Sequence, residues 1–139
     1  MSIWCSTELI LSPVKYSLCT TEKLFHKELR RLGCPRNTWP KFTSNDWSGA
    51  AAHSFVSDSG KISVIVCIRP RSEHTGIQIA SLLVHEAVHI WQEIRAVIGE
   101  KEPSSEFEAY SIQMISQNLM EQYANQCQQE ATPVATSQE

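Results

Sequence analysis

TGIQIASLLVHEAVHIWQEIRAVIG, residues 75–99, decides the fold of this chain. It reads as one long helix, and inside it His85-Glu86-Ala87-Val88-His89 forms an H-E-x-x-H motif. Residues four apart on a helix lie about 40° apart around its axis. His85 and His89 can therefore present two imidazole nitrogens to one ion. A catalytic zinc takes three protein ligands and keeps a further position for water. Glu86 lies about 100° round from His85, beside such an ion, where a general base acting on metal-bound water would stand. On the helical wheel Ile77, Ala80, Val84, Ala87, Val88, Trp91, Ile94 and Ile98 share one broad face, which is expected to enter the core. Gln78, Ser81, His85, His89 and Gln92 share the opposite one. The plainer alternatives are core histidines or solvated surface histidines. The shared polar stripe, the four-residue spacing and the intervening glutamate favour a metal pair.

The remainder of the chain sets the frame for that helix. With 139 residues, 42% of them hydrophobic, it is one domain of ordinary size with enough apolar surface for a single core. A net charge of −3 and a pI near 5.9 give no basic footprint for nucleic acid. No apolar run approaches the roughly 20 residues of a membrane span. The N-terminus has no basic region ahead of its short apolar run, so no signal peptide is expected. Cys5, Cys19, Cys34, Cys67 and Cys127 are odd in number, scattered, and contain no C-x-x-C. That pattern excludes a zinc ribbon and fits reduced thiols in a cytoplasmic protein.

Residues 1–19 give a weak signal for a short strand or helix broken at Pro13. Thr20-Thr21-Glu22 starts a helix with Leu24, Phe25, Leu29 and Leu32 at helical spacing and Gly33 as its stop. Residues 34–49 form a loop whose tryptophans pack onto the core. Residues 50–56 and 61–68 read as two strands of a hairpin joined at Ser57-Asp58-Ser59-Gly60. After Gly99 and Pro103, Ser104 or Ser105 caps a second long helix running to about Cys127, with Ala109, Ile112, Ile115, Leu119 and Tyr123 on one side. Residues 1–127 are thus expected to form a single compact domain, and residues 128–139 a disordered tail poor in apolar surface. Isolated histidines His26 and His53 are read as structural.

The second helix opens with Glu106-Phe107-Glu108-Ala109-Tyr110. An H-E-x-x-H helix, a short connection and a helix opening with E-x-x-A-[D/N/Y] resembles the gluzincins. Small metallopeptidases of that clan and the ImmA/IrrE-type phage and stress regulators are similar in this arrangement. The resemblance covers roughly residues 76–120. It implies that Glu106 is the third zinc ligand and that Tyr110, standing where Asp or Asn is usual, supports a histidine from behind. The motif also has Ala87-Val88 where ImmA-type sequences often carry Leu-Gly. The wheel itself leaves Glu106 and Glu108 open: Glu108 lies nearer the apolar centre, and a buried carboxylate needs a partner. Both could instead be acidic first-turn residues complementing the helix dipole.

The sequence therefore leads to an α+β domain with a small antiparallel sheet, a zincin active-site helix and a downstream glutamate helix. The expected activity is zinc-dependent hydrolysis of a peptide or protein substrate in the cytoplasm. It would use one Zn²⁺ per chain, with His85, His89 and Glu106 (alternatively Glu108) on the metal and Glu86 as the base. Tyr110, Tyr123 and His74 are candidate oxyanion donors, and the strand over 61–68 is a candidate edge for an extended peptide. The alternative is a non-catalytic zinc-binding regulator on the same scaffold that captures a protein partner. Neither nucleic acid nor membrane is expected among the partners.

Overall fold

A computed structural model describes residues 3–5, 12–44 and 49–131 of the chain. Its elements are β1 (Val14–Cys19), α1 (Glu22–Arg31), a 3-10 turn (Arg36–Thr38), β2 (Ala50–Val56), β3 (Ile62–Ile68), α2 (Gly76–Ile98) and α3 (Ser105–Ala131). The fold is α+β, and its sheet has the order β1-β3-β2. β2 and β3 form the expected hairpin, antiparallel from Ala50↔Ile68 to Val56↔Ile62. Its turn closes with Gly60 N donating to Ser57 O at 2.8 Å, and Gly60 takes φ 80°, a backbone region open to glycine.

The sheet is mixed rather than antiparallel. β1 runs parallel to β3, from Val14↔Ile62 to Cys19↔Cys67. A parallel neighbour requires a crossover, and α1 with the loop and β2 supplies one. The weak signal over residues 1–19 hid the strand that creates this pairing. β3 is therefore central and has no free edge, and β1 and β2 are the outer strands, β1 carrying an isolated bridge between Ser17 and Trp4. The expectation of an edge at 61–68 is corrected accordingly.

Side chains alternate across the sheet. Tyr16, Leu18, Val64, Val66 and Ile68 face α2 in the main core. Cys19, Ile65 and Cys67 face the other way, against Phe25 and Leu29 of α1 and against Phe42. Covered on both faces, β3 reads as the continuous apolar run Val64–Ile68. Trp39 packs against this second cluster and donates from Nε1 to Cys34 O at 2.9 Å, as the loop reading anticipated. Trp47 lies outside the described residues.

α2 begins at a capping box in which Thr75 and Gln78 satisfy each other's backbone N–H, and it ends at Gly99 in the left-handed conformation. Its buried face overlaps only in part the one read from the wheel, sharing Ala87, Trp91 and Ile94 with it. Ile79, Leu83, Ala87, Ile90 and Ile94 enter the core, whereas Ile77 is 81% exposed and Val84 and Ile98 are also exposed. The true stripe is rotated by roughly 70° from the expected one. The helix is apolar over most of its circumference, and its partners, the sheet and α3, choose which part is covered.

α3 lies along α2 and β1. Ile115 and Leu119 are buried, and Ile112 and Tyr123 pack beside them. Near its end Gln126 is buried, accepting from Thr20 N at 3.0 Å and donating to Leu18 O at 2.7 Å. Thr20 Oγ1 also donates to Glu130 at 3.4 Å. These anchors carry the helix through residues 128–131, which the sequence reading assigned to a disordered tail. Residues 132–139 of that tail lie outside the described residues. No described helix is long and apolar enough to cross a membrane.

Candidate metal centre

His85 and His89 project from the exposed side of α2, and their Nε2 atoms stand 3.1 Å apart. Two nitrogens bound tetrahedrally at zinc distances would be about 3.3 Å apart, so the rings are already close to the separation a shared ion demands. The imidazoles meet edge-on, with an interplanar angle of 78°. His89 Nδ1 lies 3.1 Å from Gln92 Oε1. A proton on Nδ1 in that contact would leave the Nε2 lone pair aimed at His85, the tautomer a metal ligand needs.

Glu86 sits beside the pair and is 4% exposed. Burial pushes its carboxyl above the usual range, and His85, His89 and His53 partly offset the rise. All three motif residues line a cleft of about 510 Å³ between α2 and the edge strand β2. Ala50, Ala51, Ala52 and Ser54 form its far wall. Small side chains there keep the cleft open above the histidines. A neighbouring recess of about 550 Å³ shares Ala50, His85 and Glu86, and Gly49, Ile77, Leu82 and His74 are among its other lining residues. His74 Nδ1 is buried and has no hydrogen-bond partner among the described residues.

The third-ligand candidates lie elsewhere. Glu108 accepts from Trp91 Nε1 at 2.8 Å and lies 3.8 Å from Arg95. Trp91 is on the core side of α2, so Glu108 is held across that helix from the histidines. Glu106 is exposed on the first turn of α3, and Tyr110 is 66% exposed beside a different groove of that helix. Tyr123 packs against the main core. None of these four lines the cleft. Among the described residues no three His, Cys, Asp or Glu side chains are gathered as a metal site. The two histidines fit a zinc ion; the carboxylates of α3 do not complete the set in this arrangement.

The cleft does contain a carboxylate that the sequence reading passed over. Glu93 lines it with His85, Glu86 and His89, and it accepts from Ser54 Oγ on β2 at 3.2 Å. Glu93 lies one turn beyond His89 on the same stripe, so its i+8 spacing from His85 was the available signal. Comparison of the chain with protein-family models, with curated proteins and with solved structures returned no match.

Proposed function

We propose that this chain is a zinc-dependent hydrolase that cleaves peptide bonds in the cleft between α2 and β2, acting in the cytoplasm. The observation that carries this reading is the convergence of the His85 and His89 Nε2 atoms beside a buried glutamate in an open cleft. His85 and His89 would hold the metal. The family resemblance gives the third place to Glu106, and the cleft lining makes Glu93 its competitor. Zinc, when bound, activates a water and polarises the substrate carbonyl. Glu86 would take the proton of the attacking water on a carboxylate oxygen and return it to the leaving amine. The upward push of burial on its pKa makes it a stronger proton acceptor than an exposed glutamate. β2, an outer strand beside the cleft that pairs on one side only among the described residues, would offer backbone groups to an extended peptide, and recognition would be strand addition.

One observation favours the rival reading of a zinc-binding regulator that captures a protein partner, namely that the α3 carboxylates stand outside the cleft. Glu86 separates the two. Glu86→Gln should keep fold and zinc content while cleavage of a peptide library falls by about 10²–10⁴, read as new termini by mass spectrometry. Zinc-loaded wild type that cleaves nothing across the library would favour the regulator. Full activity in the Glu86→Gln protein would reject Glu86 as the base.

A further inference from the structure

The net charge of −3 averages two very unlike halves. Residues 1–71 carry ten Lys and Arg against five Asp and Glu, and residues 72–139 carry two against ten. Within the basic half, residues 22–41 hold six cations and two acids. The six are Lys23, Lys27, Arg30, Arg31, Arg36 and Lys41, and every one is exposed. On α1 the spacing i, i+4, i+7, i+8 puts Lys23, Lys27, Arg30 and Arg31 on one stripe, roughly 12 Å long.

The 3-10 turn then brings a further cation to this stripe. The Arg30 guanidinium lies 5.6 Å from the centre of the Trp39 ring and that of Arg36 5.8 Å from the same ring. Two guanidiniums are thus positioned by one indole, a contact that restrains their forks while leaving their N–H groups to solvent.

Ordinary helix chemistry does not account for the stripe. A helix dipole favours Arg30 and Arg31 in the last turn and disfavours Lys23 in the first. Lys23–Lys27, Lys27–Arg30 and Lys27–Arg31 are like-charge neighbours that weaken a helix. The two acids do little to neutralise it. Glu22 is 3.7 Å from His26. Glu28 is buried, accepts from Trp4 Nε1 at 3.0 Å, and reaches Arg31 only at 3.9 Å.

We propose that the face formed by α1 and the 3-10 turn, on the side of the sheet opposite the histidine cleft, docks the phosphate backbone of a nucleic acid. The apolar side of α1 is spent on the core through Phe25 and Leu29, so no helix face remains to enter a bilayer. A protein partner would want a desolvated apolar centre, and among the described residues Leu32, 37% exposed, is the one exposed large hydrophobic residue on or next to this helix. A polyphosphate requires no such centre, and arginine forks match its oxygens bidentately. The expectation of no nucleic acid followed from whole-chain charge, which the acidic half masks. The inference rests on nothing in the cleft and stands apart from the hydrolase reading.

The test is fluorescence anisotropy with a labelled DNA duplex, titrated between about 50 and 200 mM salt. The wild-type chain should bind, and affinity should fall steeply with salt. Replacing Arg30 and Arg36 together by glutamine should cut affinity roughly tenfold at the upper salt and lower the log–log salt slope by about two. Lys23→Gln with Lys27→Gln, away from Trp39, should do the same with no risk to the indole packing. Lys61→Gln, exposed at the hairpin, should change neither quantity. Absence of duplex binding at the lower salt would overturn the proposal. So would binding indifferent to both double variants, or tighter binding to phosphatidylserine vesicles or polyglutamate than to DNA at equal salt.

Discussion

Cys19 and Cys67 are Cα partners across the parallel β1–β3 pair, and neither is exposed. Burial pushes the Cys19 thiol up to about 12, with Glu28 adding to the rise. Burial also raises Cys67, followed by the influence of Cys19 and Glu86. Such thiols stay protonated in the fold and ionise in the unfolded chain above about pH 8.5. Above that pH the unfolded chain binds fewer protons, so stability is full below about 8.5 and falls as pH rises toward the folded values. The loss should approach ~1.4 kcal/mol per pH unit for each thiol. Urea midpoints measured from about pH 8.5 to about 11 should fall, and Cys67→Ala should flatten that fall. A slope unchanged by Cys67→Ala would mean the thiol is not the source. Native-state alkylation should likewise modify half-buried Cys34 before Cys19 or Cys67, and peptide mapping reads the order.

For the helices, the point at issue is which stripe of α2 carries the packing energy. Leu83 and Ile90 are buried against the sheet, so Leu83→Ala or Ile90→Ala should cost about 2–5 kcal/mol of unfolding free energy. Ile77 is 81% exposed, and Ile77→Ala should change stability by less than about 0.5 kcal/mol. Denaturant melts of these variants distinguish the observed face from the one the wheel drew, on which Ile77 would be the costlier loss. The ends of α2 were easier to place than its orientation. Its start and stop are local chemistry, a capping threonine and a left-handed glycine. Removing the Thr75 hydroxyl should cost about 1 kcal/mol, measured in the same melts.

At the scale of the whole molecule, the third ligand of the proposed centre depends on the placement of one element against another. Purified protein should carry about one zinc per chain, and His85→Ala should lose it. Among the carboxylates, Glu108→Gln should leave zinc content unchanged, since Trp91 and Arg95 already occupy that side chain. Its effect should be a small loss of stability instead, because a glutamine oxygen can still accept from the Trp91 indole while the ion pair with Arg95 is lost. Elemental analysis of Glu93→Gln and Glu106→Gln then assigns the remaining place. Loss with Glu106→Gln means that the first turn of α3 swings toward the cleft when metal binds. Loss with Glu93→Gln means that α2 supplies all three ligands.

The chain by itself determined what depends on neighbours a few residues away. These are the hairpin over β2 and β3, the bounds of α1 and α2, the capped start of α3, and the pairing of His85 with His89, whose approach needs only helical spacing. Tertiary structure decided what depends on contacts distant in sequence. It made β1 a strand, parallel to β3, because that strand exists only through its partner. It turned α2 so that Leu83 and Ile90 are covered and Ile77 is not, because a helix apolar on most sides has no preferred face until a sheet and a second helix claim two of them. It set Glu108 against Trp91 and placed Glu93 in the cleft, because the packing angle of two helices is fixed by which side chains interlock between them.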